Sequence, residues 1–430
     1  MRSTRPSRVE RADWAFRADD EAIFRALARG RRTASLREYF GSPVHAELST
    51  LARTAERLRR NGGTRVLILP GIMGSKLGRD PRPGRTGQAP AGVLPGLLWM
   101  DPLRISDGLL TALALPAGGA VRAMGVLLIS YARLKLELEI AGNEVALHAY
   151  DWRRGIDELG RELAARIVRE GRPVALVAHS MGGLVARVAA GLLPRRWIRR
   201  VILLGTPNHG SFASVQALRG TYPTIRKIAL LDRRHSARHL AEKVFGTFPG
   251  LYDLLPSRNG RGPDLLDPRA WPPGRPRPRA DLLARAREAR AMLAPADSRM
   301  AHIVGVNQDT VVGLERTRSG FEYLVRRDGD GTVPLALAAL RGLPCYYVEE
   351  LHSNLASNVH VVRAVVELVR RGRTRLLPDR RRTRRGPVRR VDDAELGRER
   401  AAKIDWRRLT AAEREAALAD LDSARLVCRV

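Results

Sequence analysis

Three residues, met in the chain order Ser180, Asp330 and His352, have the types and surroundings for covalent acyl transfer. Ser180 stands in Val174-Ala175-Leu176-Val177-Ala178-His179-Ser180-Met181-Gly182-Gly183. An apolar, β-prone run there reaches a serine flanked by small residues, and an Ala/Leu/Val-rich helical segment, 184–193, follows. This is the layout of a nucleophile elbow, a strand-to-helix turn that lifts a serine hydroxyl clear of a sheet. The strained backbone of such a turn tolerates only small flanking side chains. The usual G-x-S-x-G reads here as A-H-S-M-G, with Ala178 in the place of the first glycine.

A serine nucleophile needs a base, a group that orients the base, and donors for the developing oxyanion. The acid is sought in Asp328-Gly329-Asp330-Gly331-Thr332-Val333-Pro334, a glycine-rich loop after an expected strand. Asp330 is preferred, and Asp328 is assigned to supporting the loop. Three histidines could follow. His302 begins an apolar strand ahead of the acid and reads as structural; His360 opens the last helix and reads as a surface residue. His352 lies in the loop after the strand Cys345–Val348, where the third member of a Ser–acid–His order belongs. His179 is expected to point away from the serine and to bond locally. The oxyanion donors expected are the N–H of Met181, directly after the nucleophile, and that of Ile72 in Pro70-Gly71-Ile72-Met73-Gly74-Ser75. Ser75 lacks an elbow frame and reads as a loop-tightening residue.

These residues must be positioned by a scaffold, and its rhythm is visible. Short apolar strands at Arg65–Leu69, 144–150, 174–178 and 200–204 alternate with helical segments at 125–141, 157–170 and 184–193. Such alternation predicts a parallel sheet covered by helices on both faces. Residues 208–297, rich in Arg, Pro and Gly, break the rhythm and read as a cap insertion. The sheet pattern resumes at 302–306, 322–325 and 345–348, and a helix from Val359 to Arg370 closes it. The domain reading is therefore a helical arm over 1–62, an α/β domain over 63–375 with its cap, and a basic tail over 376–430. Between Arg370 and Arg390 eleven arginines face one acid, Asp379. A block of that charge self-repels and predicts a disordered linker. Thr410-Ala411-Ala412-Glu413 offers a capping box for a short terminal helix.

The 430 residues are ample for a sizeable core. The net charge of +31 contains only five lysines among 76 basic residues, an arginine bias that matches a GC-rich coding background and weakens the case for nucleic acid. An anionic membrane surface remains a partner that such charge would attract. Cys345 and Cys428 cannot make the disulfide framework of a small secreted domain. The charged N-terminus lacks the apolar core of a signal peptide, and no apolar run reaches spanning length. A soluble, cytoplasmic protein is expected, with peripheral membrane contact at most.

Several segments in order carry a family resemblance. They are Val66–Leu77, Trp99 with Asp101, Ala149-Tyr150-Asp151-Trp152-Arg153, Ala178–Gly183 running to Gly205-Thr206-Pro207-Asn208-His209-Gly210-Ser211, Phe248–Pro256, and Gly329–Val333 followed by His352-Ser353-Asn354-Leu355. Over residues 64–370 the chain resembles the lecithin:cholesterol acyltransferase-type lipases and acyltransferases, a branch of the α/β-hydrolases that includes phospholipid:diacylglycerol acyltransferases and lysosomal phospholipase A2. The resemblance implies an α/β-hydrolase fold, Ser180 as nucleophile, Asp330 as acid, His352 as base, and the Ile72 and Met181 N–H groups as oxyanion hole. It implies a lipid acyl hydrolase or O-acyltransferase with a lipid or acyl-ester substrate and no metal or organic cofactor. Asp151 and Arg153 are expected to fix loops and Trp152 to line an acyl pocket, with 93–98, 109–115 and the cap as further acyl-binding segments. Secreted members pin their lid with a disulfide, and no cysteine stands near Trp99 here. Two rivals stand beside this reading: an esterase or thioesterase on soluble acyl esters, and an inactive hydrolase scaffold recruited by its basic tail.

Overall fold

The protein is described from a computed structural model, which covers residues 13–59, 62–79, 93–94, 96–116, 121–257, 263–274, 276–381, 386–398, 403–410, 412–414 and 417. Buried apolar runs become strands where the chain can pair them on both sides. Arg65–Leu69 (β1), Glu144–Leu147 (β5), Val174–His179 (β6), Ile198–Leu204 (β7), Met300–Gly305 (β8) and Cys345–Val348 (β11) form a six-stranded sheet in the order β11-β8-β7-β6-β1-β5. Every pairing in it is parallel. From β1 the chain crosses outward to β5, then back past β1 to β6 and on to β7.

Right-handed crossovers running in opposite directions place their helices on opposite faces of the sheet. Helix Leu128–Ile140, between β1 and β5, therefore covers one face, where it packs with Ser42–Leu58 and Val359–Arg371. Helices Ile156–Arg169 and Met181–Leu192 pack together on the other. A mostly parallel sheet in this order, clad on both sides, is the α/β-hydrolase fold. Between β7 and β8 the described residues hold no strand and several helices, Phe212–Arg219, Pro223–Leu231, Ala237–Lys243 and Ala280–Ala291 among them.

Two smaller antiparallel sheets were not expected. Ser75–Arg79 (β2) pairs with Leu97–Trp99 (β3) and Val121–Val126 (β4) beside the loop after β1. Phe321–Arg327 (β10), expected as part of the main sheet, instead pairs with Asp309–Arg316 (β9) and Arg389–Asp392 (β12). That last pairing corrects the disordered-linker expectation at Arg389 and Arg390; residues 382–385 of the arginine block lie outside the described residues. Arg390 forms ion pairs with Glu315 and Glu322 across the sheet, and Val391 is buried beneath them. Paired acids on β9 and β10 neutralise charge that the local sequence leaves unbalanced. Leu377 and Trp406 are buried too, and Arg381 pairs with Asp328. At the expected capping box, the Glu413 N–H donates to Thr410 Oγ1 at 3.3 Å and the Thr410 N–H to the Glu413 carboxylate at 2.7 Å.

The N-terminal helices are not an arm held away from the domain. Phe16, Ile23, Phe24, Leu27 and Leu36 belong to the same continuous core as the sheet. Their polar attachments are equally specific. Arg17 pairs with the buried Asp101 at 2.8 Å, and the fully buried Lys76 of β2 donates to the Ala18 carbonyl at 2.8 Å and contacts Asp20 at 3.3 Å. Among the described residues no helix is long and apolar enough to cross a membrane.

Candidate active site

In open parallel sheets, ligands gather outside the carboxyl ends of the strands where the strand order reverses. Here that reversal lies at β1, with β5 on one side and β6 on the other. The loop after β1 carries Gly71 and Ile72, and the turn after β6 carries Ser180. The two expected halves of an acyl-transfer site thus begin as neighbours.

Ser180 has φ 53° and ψ −125°, a left-handed conformation that a residue with a side chain adopts only under constraint. Its N–H is tied to the Leu204 carbonyl at 2.9 Å, and the Gly183 N–H returns to the Ser180 carbonyl at 2.9 Å. Packing explains the small residues that follow. A Cβ at Gly182 would lie 2.5 Å from the Pro70 carbonyl oxygen, and one at Gly183 would lie 2.0 Å from Thr206 Oγ1. Ala178 lies within β6, opposite Leu69 and Leu203, where a methyl group is accommodated.

The Ser180 hydroxyl lies 2.9 Å from His352 Nε2, and His352 Nδ1 lies 2.7 Å from Asp330 Oδ2. Asp330 is fully buried. Its other oxygen accepts from the N–H groups of Thr332 at 3.0 Å and Val333 at 2.7 Å, while its carbonyl accepts the His352 N–H at 2.8 Å. A carboxylate fixed through Oδ1 by two N–H groups presents Oδ2 to the ring, so Nδ1 carries the proton and Nε2 is free to accept one. The neighbouring Asp328 is turned to Arg381. His302 is buried in β8, with neither ring nitrogen hydrogen-bonded. His360 lies at the exposed start of its helix, beside the Asn358 cap.

The loop after β1 passes directly over the serine. A Cβ at Gly71 would lie 2.9 Å from Ser180 Cβ and 3.5 Å from its Oγ. The loop is pinned by aromatic side chains: Tyr131 Oη accepts the Gly71 N–H at 2.9 Å, Tyr150 Oη donates to the Pro70 carbonyl at 2.6 Å, and Trp99 Nε1 donates to the Met73 carbonyl at 2.7 Å. Burial pushes the Tyr150 hydroxyl well above the usual tyrosine range, so it stays a donor. Ser75 is a fully buried anchor whose Oγ accepts the Tyr150 N–H at 3.2 Å. Ile72 follows Gly71 in this loop. Met181 is the first residue of its helix, where an N–H has no intrahelical acceptor.

His179 turns away from the serine and becomes part of the supporting frame. Its Nδ1 lies 2.9 Å from Tyr131 Oη and its Nε2 lies 3.0 Å from the His352 carbonyl oxygen. Burial, followed by the adjacent His352, drives its pKa down to about 3, so the ring is neutral. With Nε2 facing a carbonyl, that nitrogen carries the proton and Nδ1 accepts from Tyr131. Nothing in the spacing of Tyr131, on a largely buried helix, marks it as a site residue.

Ser180 and His352 open into a cavity of about 200 Å³. Its walls are largely apolar, with Ile72, Met73, Ala217, Ile228, Leu251 and Leu254 among them. The cap contributes to it as expected. Two expectations are corrected. Trp152 is fully buried with Nε1 donating to the Ser75 carbonyl at 3.0 Å, and it does not reach the cavity. The described residues of 93–98 and 109–115 do not line it either; Leu110 and Leu113 are core residues, and the Leu113 carbonyl accepts from Arg153 at 2.8 Å. Arg153 also pairs with Asp151 at 2.6 Å, fixing the loop after β5. In their place, Phe16 and Tyr39 of the N-terminal helices face the cavity, which no local sequence signal announces.

No family model matches this sequence, and no curated protein matches it. Among solved structures, the chain is similar to the Tle4–Tli4 complex structure at 13% identity and a TM-score of 0.47, over 73% of this chain and 99% of that one. It is similar to the Bacillus licheniformis lipase BlEst2 in its propeptide form at 15% identity and a TM-score of 0.33, over 68% of this chain and 47% of that one. For the mature form of that lipase the values are 15% and 0.32, over 68% and 86%.

Proposed function

We propose that the chain is a serine-dependent lipid acyl hydrolase or O-acyltransferase that works through an acyl-serine. The observation that carries this reading is the unbroken line from Asp330 Oδ2 through His352 to the Ser180 hydroxyl, at 2.7 and 2.9 Å, opening on an apolar cavity. His352 Nε2 takes the Ser180 proton as Oγ attacks the ester carbonyl, and Asp330 steadies the imidazolium. The N–H groups of Ile72 and Met181 receive the oxyanion. Collapse of the tetrahedral intermediate breaks the ester C–O bond, and His352 returns its proton to the leaving alcohol. An acceptor hydroxyl then repeats the sequence in reverse and frees the serine.

The acceptor names the enzyme: water gives a lipase or phospholipase, a lipid alcohol gives an O-acyltransferase. The apolar walls suit a lipid alcohol as well as an acyl chain, and the resemblance of residues 64–370 to the lecithin:cholesterol acyltransferase-type enzymes supports that second reading. The test is a fluorophosphonate probe followed by mass spectrometry, then a lipid-extract assay with and without an added alcohol. Labelling at Ser180, with turnover abolished in Ser180→Ala, is expected. Full activity in Ser180→Ala would overturn the assignment. Turnover confined to short soluble esters, with no gain from vesicles, would favour a soluble-ester esterase instead.

A further inference from the structure

The cavity beside Ser180 is lined from beyond the hydrolase core as well, by residues on helices distant in sequence. Phe16 and Tyr39 come from the N-terminal helices Trp14–Arg17 and Thr33–Phe40; Ala217 and Ile228 come from the cap helices. Phe16 is 2% exposed and Tyr39 5%, so both face the cavity from inside the fold. Their rings meet edge to face at 5.0 Å.

Residues 403–410 and 412–414 tie these two walls together. On the cap side, Lys403 Nζ donates to the carbonyls of Ala229, Asp232 and His235 at 2.7, 2.9 and 2.7 Å, and the Ile404 N–H donates to Leu230 at 2.8 Å. These bonds satisfy carbonyls at the end of helix Pro223–Leu231, which carries Ile228. On the N-terminal side, the fully buried Trp406 meets Phe16 edge to face at 6.1 Å. Arg414, whose guanidinium lies 5.4 Å from the Trp406 ring, pairs with Asp13 at 3.4 Å and Glu38 at 3.3 Å.

We propose that Phe16 and Tyr39 form the end wall of the acyl-chain site and set the chain length the enzyme accepts, with residues 403–410 and 412–414 holding that wall against the cap. The proposal rests on Ser180 as the nucleophile. Each methylene buried in an apolar site favours binding about fourfold. The gain stops where the chain meets a wall of close-packed aromatic rings, because an overpacked interior does not yield without strain. A wall backed by Trp406 and by a buried ion pair is held more firmly than a surface loop. Length selection then belongs to helices Trp14–Arg17 and Thr33–Phe40 and the segment packed behind them, outside the elements that carry the triad.

The experiment is the chain-length profile of kcat/KM for p-nitrophenyl esters from butyrate to palmitate, read as the length at which kcat/KM stops rising. Phe16→Leu and Tyr39→Leu should each move that length up by about two or more carbons. Ala217→Leu, which adds bulk from the cap wall, should move it down, and it tests the same idea without removing a core ring. Alkyl fluorophosphonates of graded length, measured as labelling rates at Ser180, should follow the same order. Profiles of unchanged shape in both Phe16→Leu and Tyr39→Leu would overturn the proposal, whether total activity falls or not and whatever Ala217→Leu does. If instead the wild-type chain neither turns over esters nor labels at Ser180, the reading of the nucleophile itself fails.

Discussion

Tyr131 Oη lies 2.9 Å from His179 Nδ1, joining helix Leu128–Ile140 to the residue before Ser180. The bond is the middle of a continuous line. The Gly71 N–H donates to Tyr131, Tyr131 to His179, and His179 Nε2–H to the carbonyl of His352. Tyr131 thereby ties the loop after β1, and His179 ties the backbone of His352, to a common pair of rings. Tyr131→Phe removes the acceptor for a buried N–H, a loss of about 1–3 kcal/mol. Under the proposed mechanism the loop acts on charge that develops only in the transition state, so kcat is expected to fall about tenfold while KM changes little. Steady-state kinetics on a soluble ester check this; a rise in KM with kcat intact would mean that the pair shapes the cavity and leaves the loop unaffected.

Gly182 meets a wall that cannot move. A methyl there would press on the Pro70 carbonyl at 2.5 Å and on Leu69, both in or next to the central strand β1. Gly182→Ala is expected to cost about 1–3 kcal/mol of stability and to push the loop bearing Ile72 away from Ser180. A loss in kcat of more than about tenfold should accompany the drop in Tm. Wild-type kcat in a folded Gly182→Ala protein would show that the loop tolerates displacement.

Acid should weaken the fold through its buried neutral histidines. Burial, and then the adjacent Arg166, hold His148 down to about 3. Its folded pKa is lower than its unfolded value, so the unfolded chain binds more protons between about pH 6.5 and pH 3. The stability His148 contributes is present above that window and is lost as pH falls through it. His148→Asn keeps an acceptor for Arg166, which lies 2.7 Å from Nδ1, but cannot be protonated. The variant's stability should fall less steeply on acidification, by up to ~1.4 kcal/mol per pH unit across the window. Denaturant melts at pH 7, 5.5 and 4.5 test the difference; parallel curves would contradict it.

The parts of the fold that the sequence makes legible share one physical property. Val174–Val177 and Val201–Leu204 are buried on both faces of a parallel sheet, so burial writes itself into composition as an apolar run. Ser180 is legible because it follows such a strand, whereas Asp330 follows β10, an antiparallel strand of alternating burial, and His352 follows the half-buried β11. β2, β3 and β4 are short and interrupted by Gly78 and Gly125, and their register slips where they pair, so no period of two survives. β12 is hidden by its arginines, whose partners Glu315 and Glu322 are distant in sequence. Phe16, Tyr39 and Tyr131 reach the site by tertiary packing alone, and a periodic pattern says only that they are buried.

The buried ion pairs at Arg414 give the last expectation a definite sign. Burial raises the Asp13 carboxyl to about 6, against the pull of Arg414. A raised carboxyl pKa means that the folded state holds its proton more tightly, so this contribution to stability falls as pH rises from about 4 through 6. Arg414→Met keeps the length of the side chain but leaves Asp13 and Glu38 without that cation. Breaking a buried pair from one side costs on the order of 3–5 kcal/mol, and protonation of Asp13 relieves part of it. The variant should therefore lose more stability at pH 8 than at pH 5, and thermal melts at the two values measure the difference. An equal loss at both would assign Arg414 to packing against Trp406, since the cost of an orphaned carboxylate must depend on whether it is ionised.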